Sequence, residues 1–248
     1  MDINCDMGES FGQYALGRDS ELMPLVSSVN VACGMHAGDP LVMEKTVRLA
    51  AASGVRVGAH PGYPDLQGFG RRAMDLTLEE VEAFVLYQIS ALAGFARAAG
   101  VNLAHVKPHG ALYNRAAQDI ALARAVARAV ARFDTRLILV GLAGSALIEA
   151  GVEQGLQVAH EGFPERGYNP DGTLMSRRQP GSVIDDPARA AAQALHLAQN
   201  GIEMITGEGK LCRVSVDTLC IHGDSPNALT VASAVRAALL DNHITIGV

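Results

Sequence analysis

The chain has 248 residues, of which 49% are hydrophobic and 4% aromatic, with no Trp and a formal net charge of −6. This length is ordinary for one α/β barrel, so we expect a single domain over residues 1–248 with an aliphatic core. The acidic balance argues against a nucleic-acid partner. Because the first residues are acidic and no long uncharged apolar run follows, we expect a cytoplasmic protein without membrane spans.

Apolar runs rich in Val and Ile alternate with longer segments of helical period, which predicts strand–helix units around a parallel sheet. The predicted fold class is an α/β barrel with about seven parallel strands. We expect the strands near residues 2–5, 28–33, 55–60, 103–107, 136–140, 156–161 and 217–222. We expect helices near residues 40–53, 77–99, 118–132, 144–151, 187–200 and 226–240.

Capping signals support three of these helices. Asp39-Pro40 and Asp186-Pro187 each place a capping residue before a first-turn proline, and Thr77 with Glu80 forms a capping box. Two long segments, 61–76 and 162–185, lack periodicity, and loops of this length in a compact domain are usually functional. A shorter insertion, 203–214, is expected to form a hairpin that turns at residues 207–209.

Nearly every predicted strand ends in a residue able to bind a metal, move a proton or hold an anion. The carboxyl ends of all strands of a barrel meet around one mouth, so these residues are expected to converge there. They are Asn4, Asp6 and Glu9 after the first strand, Cys33 and His36 after the second, His60 after the third, Lys107 and His109 after the fourth, Glu161 after the sixth, and His222 and Asp224 after the seventh.

A single His at a strand end is more often a hydrogen-bonded packing residue than a catalyst, but six of seven strand ends with the same character favour a site. His105 lies inside an apolar strand, and we expect a structural role for it. We also expect structural roles for His160, His196 and His243.

The long loops carry the arginines Arg71, Arg72, Arg177 and Arg178, which could clamp a carboxylate or simply be solvated. The glycine pattern at 68–73 has no strand before it, so it does not predict a dinucleotide site. No phosphate loop or nucleophile elbow is present in the sequence.

Several segments that carry these polar residues closely resemble the LamB/YcsF family, and the similarity extends over essentially the whole chain. The segments are NCDMGES (4–10), VNVACGMHAGDP (29–40), GAHPGYPDLQGFGRR (58–72), HVKPHGALYN (105–114), LVGLAGS (139–145), PDGTLMSRRQPG (170–181) and DTLCIHGDSP (217–226). One departure is HEGFPERGY at 160–168, where something nearer REAFADRRY is expected. Glu161 and Arg166 are kept in this comparison, whereas Pro164 and Gly167 are substitutions that bear on the shape of the local loop.

The resemblance implies a variant (β/α) barrel of the glycoside hydrolase/deacetylase type. It also implies ATP-dependent opening of 5-oxoproline to glutamate, with two partner subunits of the allophanate-hydrolase type. ATP and Mg²⁺ are then expected to bind mainly with those partners. The family's acidic, His and Lys motif positions are matched by Asn4, Asp6, Glu9, His36, His60, Lys107, His109, Glu161, His222 and Asp224.

Opening a lactam requires an activated water, charge stabilisation and a proton for the leaving nitrogen. We expect Asp6 or Glu161 to act as general base, Lys107 to stabilise the oxyanion or a phosphorylated amide oxygen, and His109 to assist proton transfer. The expected substrate-binding residues are Asn4, Glu9, His36, His60, Arg71, Arg177, His222 and Asp224.

Alternatives remain open from the residues alone. Asp6, His36 and His60 could instead hold a divalent metal. A metal-dependent amide or N-acetyl hydrolase that needs no ATP is one rival function. A non-catalytic protein that presents a small acid to its partners is the other.

Overall fold

Seven parallel strands close into a barrel in the order β1-β2-β3-β4-β5-β6-β9, which confirms the predicted fold class. The computed structural model describes residues 1–206, 208–223 and 227–247. No barrel strand begins or ends more than two residues from its predicted position. The strands are β1 (Asp2–Met7), β2 (Ser28–Ala32), β3 (Arg56–His60), β4 (Leu103–Val106), β5 (Ile138–Leu142), β6 (Gln157–Gly162) and β9 (Thr218–His222).

Helices surround the barrel, and the predicted caps begin three of them. The Asp39 carboxylate accepts hydrogen bonds from the amides of Leu41 and Val42, and the capping box of Thr77 and Glu80 is complete. Within the described residues, no helix is both long and apolar enough to cross a membrane. The helices are α1 (Asp19–Leu22), α2 (Pro40–Ser53), α3 (Leu78–Ala98), α4 (Gly110–Ala116), α5 (Ile120–Phe133), α6 (Ala146–Glu153), α7 (Pro187–Asn200) and α8 (Ala228–Asp241).

The predicted hairpin between α7 and β9 is present as a separate antiparallel pair, β7 (Ile202–Ile205) with β8 (Leu211–Val214). Part of its predicted turn, Gly207, lies outside the described residues.

The sequence did not predict α4, because this helix has only seven residues and follows directly on Pro108 and His109. A segment this short shows no helical period to read.

The interior of the barrel is polar as well as aliphatic. Asn30 lies beside Asp6 on β1 and beside Gly58 on β3, and Gly58 lies beside His105 on β4. The imidazole Nε2 of His105 is 2.7 Å from Asn30 Oδ1, a contact inside the barrel that agrees with a structural role for His105. A Cβ atom at Gly58 would overlap this imidazole ring. The His105 ring therefore fits inside the barrel because Gly58 has no side chain.

We predict that Gly58→Ala lowers the free energy of unfolding by about 1–3 kcal/mol, because the added methyl group displaces His105 from Asn30. Gly94→Ala is the matched control. Gly94 lies in α3, where an added Cβ meets no atom within 4 Å. This substitution should stabilise the protein by roughly 0.5–1 kcal/mol. Urea unfolding monitored by circular dichroism measures both changes. An unchanged free energy for Gly58→Ala would show that the barrel interior accommodates the methyl group without displacing His105.

Candidate functional site

A cavity of about 630 Å³ opens at the carboxyl ends of the barrel strands. The two long segments without periodicity, 61–76 and 162–185, both contribute to its wall. Polar and charged side chains from six different segments meet in it. Among them are Asp6, Glu9, His60, Arg71, Lys107, His109, Arg166, Arg177 and His222.

A second cavity, of about 600 Å³, lies at the amino ends of β4 and β5. Its charged lining residues are Arg97, Asp134 and Arg136, and Asp134 and Arg136 form an ion pair with each other. None of the described residues that line this second cavity is a His, Lys or Cys. The chemistry-bearing residues of the described chain are therefore concentrated at the opposite end of the barrel.

The ammonium group of Lys107 is the centre of the carboxyl-end cavity. Its Nζ atom lies 2.9 Å from Asp6 Oδ1 and 2.9 Å from Glu161 Oε1. The same atom lies 2.9 Å from Cys220 Sγ and 3.3 Å from Asn4 Oδ1. All of these side chains are buried. We refer to Lys107, Asp6 and Glu161 as the lysine–carboxylate centre.

Lys107 and Asp6 are both ionised. Burial alone would lower the pKa of Lys107. The nearby side chains of Asp6 and Glu161 instead raise this pKa well above the usual value. Burial alone would raise the pKa of Asp6, but His60 and Lys107 lower it well below the usual value. The ammonium and the Asp6 carboxylate thus keep each other charged in an interior where an isolated charge would be costly.

Neutral side chains complete the hydrogen bonds of this centre. The Asn30 amide donates to Asn4 Oδ1 (2.7 Å) and to Asp6 Oδ1 (2.8 Å). The Asn4 amide donates to Glu161 Oε1 (2.9 Å), and the Tyr113 hydroxyl donates to Glu161 Oε2 (2.6 Å). Both oxygens of Glu161 are therefore occupied, and Glu161 does not line the cavity. Asp6 does line it, with its second oxygen, Oδ2, 3.3 Å from His60 Nε2.

Three histidines form a cluster beside the lysine–carboxylate centre. The rings of His36 and His109 stack in parallel at 3.8 Å between centroids, and the ring of His60 meets both edge-on. Glycines make this packing possible, because a Cβ at Gly62 would lie 2.6 Å from His36 Nδ1 and one at Gly70 would lie 2.8 Å from His109 Cδ2. Burial lowers the pKa values of His36 and His109 well below the usual value.

Two groups of side chains in the mouth could hold a metal ion. One is Glu9, His36, His60 and His109, whose ligand atoms lie within 4.8 Å of one another. The other consists of Asp6, Cys220 and His222. Burial raises the pKa of the Cys220 thiol well above its usual value, so the second group presents a protonated sulfur. His36 and His60 thus share a group, as expected, but Asp6 belongs to the other one.

The structure brings most of the residues proposed from the sequence to one mouth. Lys107 and His60 lie at the same end of the barrel, and Arg71 and Arg177 lie exposed at its rim. Asp224 lies outside the described residues. The residues gathered there are Asn4, Asp6, Glu9, His36, His60, Lys107, His109, Glu161 and His222.

Sequence reasoning missed four residues of the site. Asn30 faces the barrel interior two positions after Ser28, and period-two alternation along β2 could have revealed it. Tyr113 is carried by the unpredicted helix α4. Cys220 precedes His222 by two positions, so it shares the inward face of β9. The side chain of Arg166 donates to the carbonyls of Ser182 and Met175, a contact that the sequence does not show.

Fold and site together define a seven-stranded α/β-barrel protein with a buried charged pocket, the usual arrangement for binding a small polar ligand. The sequence profile of the LamB/YcsF family matches residues 1–247. The chain belongs to the LamB/YcsF family.

Several known proteins are similar to this chain over nearly its full length. The A subunit of the 5-oxoprolinase of Tolumonas auensis is 55% identical over 247 residues, which cover 99% of this chain and 98% of that protein. The protein of the same name from Pyrococcus furiosus is 52% identical, with coverage of 99% and 96%. The crystal structure of a lactam utilization protein from Thermus thermophilus matches with a TM-score of 0.90 and 52% identity, covering 100% of this chain and 98% of that one.

We predict that the stability contributed by Asp6 is lost in acid. Its pKa is lowered in the folded state, so its contribution is complete above the unfolded value of about 3.9 and falls as the pH drops towards the folded value. Asp6→Asn should be less stable than the original protein by roughly 3 kcal/mol near neutral pH. This difference should shrink as the pH falls from about 4 towards 3, as followed by urea unfolding. A difference that stays constant over this range would argue against an ionised Asp6.

Proposed function

We propose that this chain is the A subunit of an ATP-dependent 5-oxoprolinase, which opens the lactam of 5-oxo-L-proline with water to give L-glutamate, ADP and phosphate. The observation that carries the proposal is the 55% identity, over 99% of the chain, to the A subunit of the Tolumonas auensis 5-oxoprolinase. The lysine–carboxylate centre, with its ammonium at the bottom of an open cavity, supplies chemistry suited to a cyclic amide.

Lys107 is proposed to stabilise the charge that develops on the lactam oxygen, or on that oxygen once phosphorylated. A preorganised, desolvated cation at this position is a strong source of transition-state stabilisation. Its ammonium is already held in the site by two carboxylates at 2.9 Å before substrate arrives. Lys107 also lies 5.5 Å from the centroid of the Phe163 ring, which covers one side of the ammonium with an apolar surface.

Asp6 is the better placed of the two carboxylates considered as general base. It lines the cavity, whereas both oxygens of Glu161 already accept hydrogen bonds inside the barrel. A carboxylate with a lowered pKa is a weak base at rest. As the Lys107 ammonium turns towards a developing oxyanion, it stabilises Asp6 less, and the basicity of Asp6 rises. His109, which also lines the cavity, is proposed to deliver the proton to the leaving nitrogen.

The ATP requirement follows from the substrate. A five-membered lactam is unstrained, so its opening needs either coupling to an exergonic step or a more electrophilic carbonyl. The sequence contains no phosphate loop, and we therefore assign ATP and Mg²⁺ mainly to two partner subunits of the allophanate-hydrolase type. Arg71, Arg166 and Arg177 line the mouth and would meet an anionic, phosphorylated substrate. The names of the relatives designate one lettered subunit of an enzyme, which supports the existence of partners.

The group formed by Glu9, His36, His60 and His109 favours one second candidate, a metal-dependent amide hydrolase that needs no ATP. A metal ion there would supply Lewis-acid polarisation of a carbonyl oxygen. The two candidates differ in their need for ATP and for partners. A chain that only presents substrate to its partners would instead tolerate substitution of the lysine–carboxylate centre.

We predict that the isolated chain releases no glutamate from 5-oxoproline at a useful rate. Activity should appear when ATP, Mg²⁺ and both partner subunits are present together, and it should vanish when any one of them is omitted. The test is to measure glutamate release with each component left out in turn. Full turnover by the isolated chain without ATP would refute the coupled model and favour the metal-dependent amide hydrolase.

We predict that Lys107→Met lowers glutamate release by the complete mixture about tenfold to a thousandfold, the loss expected for one oxyanion contact. The matched control is Lys45→Met, which removes an exposed ammonium on α2 and should leave turnover unchanged. Circular dichroism and co-purification with the partners establish that the variant is folded and assembled. Normal turnover by an assembled Lys107→Met complex would remove Lys107 from the mechanism.

A further inference from the structure

We propose that Glu9, His36, His60 and His109 form a binding site for one divalent transition-metal ion of the zinc class. The inference does not rest on the proposed function, since metal binding can be measured on this chain without partners or turnover. A bound ion would occupy the lone pair of His109, so the metal-bound chain would not use His109 as the proton donor proposed above. It also differs from the expected set of Asp6, His36 and His60, because it replaces Asp6 by Glu9 and His109.

The first reason is the protonation pattern imposed on two imidazole rings. His60 Nδ1 lies 2.7 Å from the carbonyl oxygen of Lys107, and His109 Nε2 lies 2.8 Å from the carbonyl oxygen of Phe69. A carbonyl oxygen can only accept a hydrogen bond, so each of these nitrogens carries a proton. A backbone carbonyl that fixes the tautomer of a His in this way is the usual support for a metal-ligating ring.

The second reason follows from the first. When both rings are neutral, the opposite nitrogens, His60 Nε2 and His109 Nδ1, carry lone pairs, yet these two atoms lie only 2.9 Å apart. Two lone pairs at this distance repel each other unless a cation or a shared proton lies between them. The rings are held there by backbone contacts and packing, so the arrangement is suited to a cation that both nitrogens can ligate.

His36 gives an independent reason. Its ring is fully buried, and neither of its nitrogens has a hydrogen-bond partner among the described residues. A buried polar group without a partner costs free energy, and such groups in folded proteins call for an explanation such as an ion. The ring stacks on His109 and lies 5.5 Å, between centroids, from His60. An ion ligated by His36 would satisfy one of these two nitrogens.

The composition of the set selects the class of ion. Three imidazoles and one carboxylate favour zinc, cobalt or nickel over magnesium or calcium, which prefer oxygen ligands. The four ligand atoms lie within 4.8 Å of one another. Ligands bonded at about 2.0–2.1 Å to one ion are separated by at most roughly 4.2 Å, so binding would draw the four atoms together. The stacked rings of His36 and His109 would also have to tilt, because an imidazole lone pair lies in the plane of its ring.

Asp6 is a poorer ligand than its position in the sequence suggests. One of its oxygens, Oδ1, accepts from the Lys107 ammonium at 2.9 Å, and a cation ligated by this carboxylate would be repelled by the ammonium. Glu9 Oε1 lies 4.0 Å from His109 Nδ1, on the histidine side of the cavity. The lysine–carboxylate centre and the histidine cluster are thus neighbouring but chemically separate parts of the mouth.

The test measures metal content and coordination. The full chain is stripped with a chelator, dialysed against Zn²⁺ or Co²⁺, and analysed by elemental analysis and, for Co²⁺, by its visible absorption. We expect one ion per chain and a cobalt spectrum of nitrogen-rich coordination. His36→Phe, which keeps a stacked ring, should weaken binding at least about tenfold to a hundredfold. The matched control, His196→Asn, changes an exposed His on α7 and should bind as the original protein does.

Glu9→Gln is a second variant, of nearly unchanged shape, and it should also weaken binding. It tests the proposal in the case that His36→Phe does not fold. Two results would overturn the proposal. One is the absence of stoichiometric binding at micromolar free metal by the folded chain. The other is equal affinity in the original protein, His36→Phe and Glu9→Gln. A proton shared between His60 and His109, seen by nitrogen-15 NMR in a chain that binds no metal, would give the alternative explanation of their contact.

Discussion

The structure of the mouth depends on the salt-bridged ammonium of Lys107, which lies buried between the carboxylates of Asp6 and Glu161. Removing such charges from water costs several kcal/mol for each ion, and attraction between them offsets this only when the remaining hydrogen bonds are also made. Asn4, Asn30 and Tyr113 make those bonds. The polar interior of the barrel is thus a consequence of holding one cation at the bottom of the cavity.

The histidine cluster is coupled to this centre through the backbone. His60 contacts the carbonyl oxygen of Lys107 through Nδ1 and faces Asp6 Oδ2 through Nε2. The segment that places Lys107 therefore also fixes the orientation of His60. Gly62 and Gly70 allow the rings of His36 and His109 to pack where any side chain would intrude. A substitution at these glycines would disturb both parts of the mouth through the ring of His60.

The sequence predicted the barrel well because strand-and-helix alternation and capping are local signals. It also identified the residues of the mouth, since the ends of parallel strands must meet. It could not identify Tyr113, which depends on a helix too short to show periodicity. It could not decide between Asp6 and Glu161 or between the two metal groups. Those choices depend on which oxygen is already hydrogen-bonded, and spacing along the chain carries no such information.

The cations of the cavity differ between its bottom and its rim. At the bottom, the Lys107 ammonium is already paired with Asp6 and Glu161. At the rim, Arg71 and Arg177 are exposed and Arg166 is buried beneath them, where burial and then the Arg177 charge lower the pKa of Arg166 to about 10. Under the proposed function, the carboxylate of a small acid is attracted to the rim arginines rather than to the ammonium that is already paired. Its lactam carbonyl is then the end that reaches Lys107, so the placement of the cations orients the substrate before any bond changes.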